Sequence, residues 1–339
     1  MIVLTVSDFR PPAWLRNGHL QSLLSAAPPR RAAGDRLMAA LRPDTSEWLL
    51  DAGDATLQAF HLRPREGGHG NAALLLHGWE GSHRSSYSRH TTAALLRAGF
   101  DVVLLNFRDH GDTHHLNAEP FHSCRLDEVV QGALQVQQRL GGRPMALAGF
   151  SLGGNFALRV ARLAPDVGLA LTHVAAVCPV LHGEFGLRAL ETGVPLYQWY
   201  FMRKWRRSLL KKRQHFPDRH RFDAADLDRD MRGLTSYLVE QYTAFPNLAA
   251  YLDGYAIAGD RLAALSVPAS ILTAADDPVI PVADFHDLQL PASATLEIAA
   301  HGGHCGFIED AALQGFAERW ITSRFQTVAR DSAATLNAV

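Results

Sequence analysis

Pro144-Met145-Ala146-Leu147-Ala148-Gly149-Phe150-Ser151-Leu152-Gly153-Gly154-Asn155 reads as a buried strand, a sharp turn and the start of a helix. A serine held between two glycines at such a turn occupies a strained backbone position. Gly149 and Gly153 stand where a Cβ would collide with the neighbouring strand and helix, so the hydroxyl of Ser151 is pushed up and out. The helix that follows directs its free amides and positive dipole end at the space beside Ser151, where an oxyanion would form. The motif is short enough to arise by composition, and its weight comes from its context: the apolar run before it, the small-residue helix from Asn155 to Ala161 after it, and suitable partners later in the chain.

Outward from this turn the same alternation repeats. Ala72–Leu76, Asp101–Phe107, Leu171–Val180, Ala269–Ala275 and Thr295–Ala300 are apolar runs of strand length. Helical patterns fill Tyr87–Ala98, stopped by Gly99, and Leu126–Leu140, closed by Gly141-Gly142. Continuous apolar strands alternating with helices predict a doubly wound, mostly parallel α/β sheet covered on both faces. Before it, Trp48–Leu50 and Thr56–Leu62 flank Asp51-Ala52-Gly53-Asp54, a hairpin signal. Pro11–Leu23 mixes prolines, an aromatic and a glycine and is expected to pack irregularly on the main domain. A closing helix is expected over Glu309–Phe325.

The pattern breaks between Gly183 and Ala264, where Trp, Tyr, Arg and Lys recur with helical spacing and no strand signal appears. The expected organisation is therefore an α/β core over 1–182 and 265–330, with an N-terminal arm over 1–45, an inserted helical cap over 183–264 and a flexible tail over 331–339. Within the cap, 199–213 is basic and amphipathic. Phe201, Met202, Trp205 and Leu209 fall on one arc, and Arg203, Lys204, Arg207 and Lys211 on another. Two readings stand: a lid helix with a solvated basic side, or a face that touches anionic lipid at a membrane periphery.

Composition narrows the function classes. The 33 Lys and Arg against 34 Asp and Glu leave no field to attract a nucleic acid. The N-terminus lacks a basic region before its apolar residues, and no apolar run is long enough to span a bilayer. Three cysteines without CxxC spacing fit a reducing, cytoplasmic setting better than a disulfide scaffold. No cofactor motif is present. Arg108-Asp109-His110-Gly111-Asp112-Thr113-His114-His115 clusters histidines and acids, but its spacing matches no defined metal site.

Chemistry-bearing residues lie just past strand ends, the edge where α/β sheets place their ligands. A serine hydroxyl is a poor nucleophile at neutral pH and needs an imidazole within about 3 Å to take its proton, with a carboxylate to fix the tautomer. Ser151, then Asp277, then His304 supply nucleophile, acid and base in that order. Asp277 is preferred because it leads directly into the turn Pro278-Val279-Ile280-Pro281, and Asp276 is the alternative acid. His304, between Gly303 and Gly306, is preferred over His301, which sits at the strand end. The amides of Leu152 and, in His77-Gly78-Trp79-Glu80-Gly81-Ser82, of Trp79 are the candidate oxyanion donors. His19 and His77 read as histidines that tie loops together, and Cys305 as a small packing residue beside the base.

Taken together these stretches resemble the bacterial YheT-like and eukaryotic embryogenesis-associated hydrolases of the α/β-hydrolase superfamily. The likeness rests on Trp14–Gln21, His77–Ser82, Asn106-Phe107-Arg108, Gly149–Asn155, Ala275–Pro278 and His301–Phe307, and it covers nearly the whole chain. It implies a cytosolic or membrane-peripheral serine hydrolase of the esterase kind, with some relatives acting on acylglycerols or phospholipids; the residues themselves point to carboxylic esters cleaved through an acyl-enzyme, lipid or acylglycerol esters being one option for the substrate. By position it implies Ser151, the aspartate of the Asp276-Asp277 pair and His304 as the triad. The loop after Arg108 and the cap composition depart from the family pattern. An acyltransferase using the same triad and a non-catalytic binding protein on the same fold are the alternatives. Dehalogenase and epoxide-hydrolase chemistry would place a carboxylate where Ser151 stands.

Overall fold

The apolar runs assemble into one twisted sheet. The computed structural model describes the backbone of residues 2–337 and the side chains of residues 4–331. In chain order the strands are β1 (Ile2–Thr5), β2 (Asp44–Asp51), β3 (Thr56–Arg63), β4 (Ala72–Leu76), β5 (Asp101–Asn106), β6 (Met145–Phe150), β7 (Leu171–Val177), β8 (Ala269–Ala274) and β9 (Ala294–Ala299). Their order across the sheet is β1-β9-β8-β7-β6-β4-β5-β3-β2. All neighbours from β1 to β5 run parallel, and β3 and β2 close that edge as an antiparallel hairpin.

Helices α1 (Gly18–Ser25) and α2 (Pro28–Leu41) precede the hairpin, and α3 (Ser86–Arg97), α4 (Leu126–Arg139) and α5 (Leu152–Leu163) connect the central strands. Between β7 and β8 lie α6 (Gly183–Thr192), α7 (Pro195–His215), α8 (Ala224–Asp228), α9 (Met231–Tyr242) and α10 (Leu248–Gly254), and α11 (Phe316–Asn337) ends the described chain. Leu95 of α3 and Trp320 and Ile321 of α11 pack with Ala73 and Leu75 of β4. Val129 of α4 and Phe156 of α5 pack with Leu74 and Leu76 on the other side. Alternate residues of one strand thus enter two separate cores, which is why β4 is apolar throughout.

This order places the site. From β4 the chain moves to β5 on one side, then returns to lay β6, β7, β8 and β9 on the other. The direction of winding reverses between β4 and β6, and the crevice outside their carboxyl ends is where such sheets bind ligands. The loop beginning at His77 and the turn at Ser151 both open there. Among the described residues no helix is long and apolar enough to cross a membrane.

Three local expectations differ from the structure. Pro11–Leu23 is ordered as a 3-10 turn over Ala13–Leu15 followed by α1, because the Asn17 side chain accepts the Leu20 amide at 3.0 Å and caps the helix. Residues 2–5, too short to stand out from the sequence, add a parallel edge strand to β9. The closing helix starts at Phe316 rather than Glu309, since Ile308 bridges Gly315 across a turn in which Leu313 has φ of 60°. It continues to Asn337, through most of the stretch expected to be flexible, and residues 338 and 339 lie outside those described.

Candidate active site

The turn after β6 is built as its glycines require. Ser151 has φ of 53° and ψ of −118°, a region L side chains rarely occupy. A Cβ on Gly149 would stand 2.1 Å from the Gly153 carbonyl oxygen, and one on Gly153 would stand 2.4 Å from the carbonyl oxygens of Leu76 and His77. Any side chain at either position would force the turn open. The Ser151 amide is tied to the Val177 carbonyl at 2.8 Å, and the Asn155 amide donates to the Ser151 carbonyl at 3.1 Å.

Two further loops bring their side chains to this serine. His304 Nε2 lies 2.9 Å from Ser151 Oγ, and its Nδ1 lies 2.9 Å from Asp277 Oδ2. The other oxygen of Asp277 accepts the amides of Val279 at 2.8 Å and Ile280 at 2.9 Å. The turn Pro278–Ile280 therefore fixes the carboxylate and leaves one oxygen for the imidazole. Burial, the largest single influence, draws the His304 ring toward the neutral form, but the charge and hydrogen bonding of Asp277 and of neighbouring Cys305 together outweigh it and hold the ring well above the ordinary histidine value.

Asp276 does a different task. Its Oδ1 accepts the Gly303 amide at 2.8 Å, so it shapes the loop that carries the base without touching the ring of His304. Burial pushes its carboxyl above the usual range. His301 Nδ1 lies 3.7 Å from Asp276 Oδ2, whereas the ring nitrogen at Ser151 Oγ is that of His304.

The N-terminal arm completes that loop, a contribution sequence reasoning did not assign. Ser22 Oγ accepts the His304 amide at 2.8 Å. Buried Gln21 donates to the carbonyls of Leu15 at 2.8 Å and Ile308 at 3.0 Å, and accepts the Ile308 amide at 2.6 Å. A Cβ on Gly303 would meet the Gly18 carbonyl oxygen at 2.1 Å, so arm and loop are in direct backbone contact. The available signal was a polar Gln21-Ser22 pair set between apolar residues in a helix that must bury one face. His19, on the same helix, has its Nδ1 3.0 Å from the Tyr197 hydroxyl of α7.

Gly78 brings the loop after β4 against the serine: a Cβ there would stand 3.3 Å from that of Ser151. Trp79 stacks on Phe201 with centroids 5.4 Å apart and meets Trp205 edge-on at 5.2 Å, which fastens this loop to α7. Among the described residues, the amides of Trp79 and Leu152 donate to no protein acceptor. His77 accepts the Phe107 amide at Nε2 (3.2 Å), so its Nδ1–H donates to the Gly78 carbonyl (2.8 Å). Burial keeps this ring neutral, with its pKa well below the ordinary value.

The polar loop after β5 directs its side chains to separate partners. His110 Nδ1 meets the Arg108 carbonyl at 2.7 Å, and His114 Nε2 meets Ser208 at 2.8 Å. Asp109 pairs with buried Lys212 of α7. Burial pushes His110 down to about 4 and His114 to about 3, and raises Asp109 to about 6.

Ser151 and His304 open into a cleft of about 720 Å³. Leu23, Ala27, Pro28, Leu196, Tyr197 and Tyr200 supply apolar lining, while Glu80, Lys204, Arg207, Ser208 and Lys211 supply polar lining. Burial raises the Glu80 carboxyl to about 7, against the pull of Lys204 beside it. On α7, Met202 and Leu209 are buried and Arg203, Arg207 and Lys211 face solvent. Trp199 on the same helix is 56% exposed and Leu196 44%.

Comparison with known proteins agrees with this architecture. A family model described as alpha/beta hydrolase fold matches residues 72–311. The Escherichia coli (strain K12) protein named "Putative esterase YheT" is 27% identical over 338 residues, covering 94% of this chain and 92% of its own. The Mus musculus protein named sn-1-specific diacylglycerol lipase ABHD11 is 31% identical over 157 residues, 43% of this chain and 45% of its own. Among solved structures, esterase Est22 superposes with a TM-score of 0.58 at 18% identity, covering 91% of this chain and 86% of its own. The Pyrococcus furiosus esterase Pf2001 gives 0.56 at 15% identity over 87% and 93%. At these identities the two structures speak for the fold alone.

Proposed function

The chain belongs to the α/β-hydrolase fold family, in which it is YheT-like, and from that premise we propose that it cleaves carboxylic esters through an acyl-enzyme on Ser151. The observation that carries this reading is the unbroken line of hydrogen bonds from Ser151 Oγ through both nitrogens of His304 to Asp277 Oδ2, at 2.9 Å and 2.9 Å. As Oγ attacks the ester carbonyl carbon, its proton passes to Nε2, and Asp277 stabilises the imidazolium. The carbonyl oxygen becomes an anion received by the amides of Trp79 and Leu152, which have no other partner among the described residues. His304 then gives its proton to the departing alkoxide. Water repeats the sequence on the acyl-enzyme, releasing the acid and restoring Ser151.

The helices over 183–264 act as a cap: Tyr197, Tyr200 and Phe201 of α7 line the cleft above the serine. The apolar lining suits an acyl chain and the polar lining an alcohol that carries polar or charged groups. A second reading, docking on a lipid surface, is favoured by exposed Leu196, Trp199 and Leu210 beside Arg203 and Arg207 on one helix. Labelling by a fluorophosphonate probe and hydrolysis of p-nitrophenyl esters test the main reading. Both should be lost in Ser151→Ala, with turnover down by ~10⁶. Undiminished labelling of that variant would remove Ser151 as the nucleophile.

A further inference from the structure

The proton route above leaves two buried thiols unused. Cys178 follows β7, and Cys305 follows His304 in the base loop. Their two sulfurs and a ring nitrogen of His304 lie within 4.8 Å of one another. Backbone contacts fix them: the Cys305 amide donates to Cys178 Sγ at 3.4 Å, and Cys305 Sγ lies 3.8 Å from the Val177 carbonyl. Both cysteines hold positive φ, 44° and 55°, a strained setting that clusters at functional positions. Cys178 is fully buried, whereas Cys305 lines the cleft with Ser151 and His304, giving a path from solvent. Cys124 stands apart, with its thiol on the Tyr251 carbonyl at 3.4 Å.

We infer that Cys178, Cys305 and His304 form a binding site for a thiophilic divalent cation of the zinc class, and that its occupation shuts off the hydrolase. Two thiolates and an imidazole are the donor set such ions select over magnesium or calcium, which take oxygen ligands. Tetrahedral zinc with sulfur at about 2.3 Å and nitrogen at about 2.0 Å holds its ligands about 3.5–3.8 Å apart. The cluster has to close by about 1 Å at its widest separation, a movement of side-chain torsion size. Binding releases the two thiol protons to solvent. A neutral imidazole has one free lone pair, so a metal bound at either nitrogen takes the pair that would accept the Ser151 proton. The shut-off rests on the reading of His304 as the base; the metal site does not.

The test titrates the full-length protein with Cd2+, following thiolate-to-metal charge-transfer absorption, and measures ester hydrolysis over the same range. One saturable band per chain, displaced by Zn2+, with hydrolysis falling in parallel and recovering on chelation, is expected; Mg2+ produces neither effect. Cys178→Ser and Cys305→Ser should each raise the half-saturating Cd2+ concentration by about tenfold or more, while Cys124→Ser leaves it unchanged. Absence of the band in wild type, or its loss in Cys124→Ser alone, overturns the site, and the wild-type stoichiometry decides if a serine variant fails to fold. A saturated band with undiminished hydrolysis overturns the role of His304 as a ligand. A metal-free protein with no esterase activity would sink the hydrolase reading, and the cadmium titration would still judge the site.

Discussion

Ser22 Oγ accepts the backbone amide of His304 at 2.8 Å and donates its own proton to the Gly18 carbonyl at 2.7 Å, so α1 holds the base loop from outside the sheet. Ser22 touches no reacting atom and acts by positioning. Ser22→Ala leaves a part-buried amide without its partner, which costs about 1–3 kcal/mol. Misplacing the ring by a fraction of an ångström costs about ten- to a hundredfold in kcat. KM should stay near the wild-type value, because the Ser22 hydroxyl is engaged by the His304 amide and the Gly18 carbonyl rather than offered to a substrate. Ser22→Thr, which keeps the hydroxyl, should recover most of the rate. Wild-type kcat in Ser22→Ala would show that the brace does not matter.

The two adjacent aspartates should separate sharply. Asp277→Asn removes the carboxylate that accepts Nδ1–H, and on the scale known for serine hydrolases this lowers kcat by ~10⁴. Asp276→Asn keeps an oxygen that can still accept the Gly303 amide, so its loss should stay within about tenfold and appear mainly as a lower Tm. Steady-state kinetics on both variants decide the matter. Equal losses, or the reverse order, would move the acid role to Asp276.

The sheet and the serine turn were legible because each leaves a local mark in the sequence: buried parallel strands need continuous apolar runs, and the turn needs glycine at 149 and 153, where an added Cβ would stand 2.1 Å from the Gly153 carbonyl oxygen and 2.4 Å from those of Leu76 and His77. The part played by the arm was not. Gln21 and Ser22 reach partners 287 and 282 residues away, at Ile308 and His304, and nothing local to either segment records that pairing. The basic cap helix divided in a similar way. Lys212 looks like its solvated neighbours in sequence, yet it is buried against Asp109, while Arg203 and Arg207 face solvent.

The pH dependence should carry the imprint of the Asp277–His304 pair. Attack needs the neutral ring; burial lowers its pKa, and Asp277 together with Cys305 more than reverses this, raising it well above 6.5. The acid limb of kcat/KM should therefore have its midpoint above that of an ordinary histidine, and Asp277→Asn should move the remaining activity's midpoint downward. Stability runs the other way. A raised folded-state pKa contributes stability that is complete below the unfolded value of 6.5 and is lost as pH rises through the folded value. Activity should thus increase over the interval in which this pair's contribution to Tm declines. A midpoint in kcat/KM below that of free histidine would contradict the geometry.

The exposed face of α7 gives the last prediction. Trp199, 56% exposed, precedes Arg203 and Arg207 by about one and two helical turns, and Leu196, 44% exposed, precedes them by about two and three, so apolar and basic groups share one solvent-facing stripe. A purely structural helix gains nothing from exposed Trp199, whereas one lying on a lipid surface buries it at the headgroup boundary. Each arginine near an anionic surface is worth about 1 kcal/mol. The double variant Arg203→Gln/Arg207→Gln should therefore weaken binding to phosphatidylserine-containing vesicles by about thirtyfold. Trp199→Ala should weaken binding to anionic and neutral vesicles alike, since its contribution is apolar area. Hydrolysis of a short water-soluble ester should change little in Trp199→Ala, because Trp199 lies outside the cleft lining. Co-sedimentation with vesicles of both compositions measures this. Wild-type protein that stays in the supernatant with anionic vesicles at low salt would leave α7 as a lid with a solvated outer side.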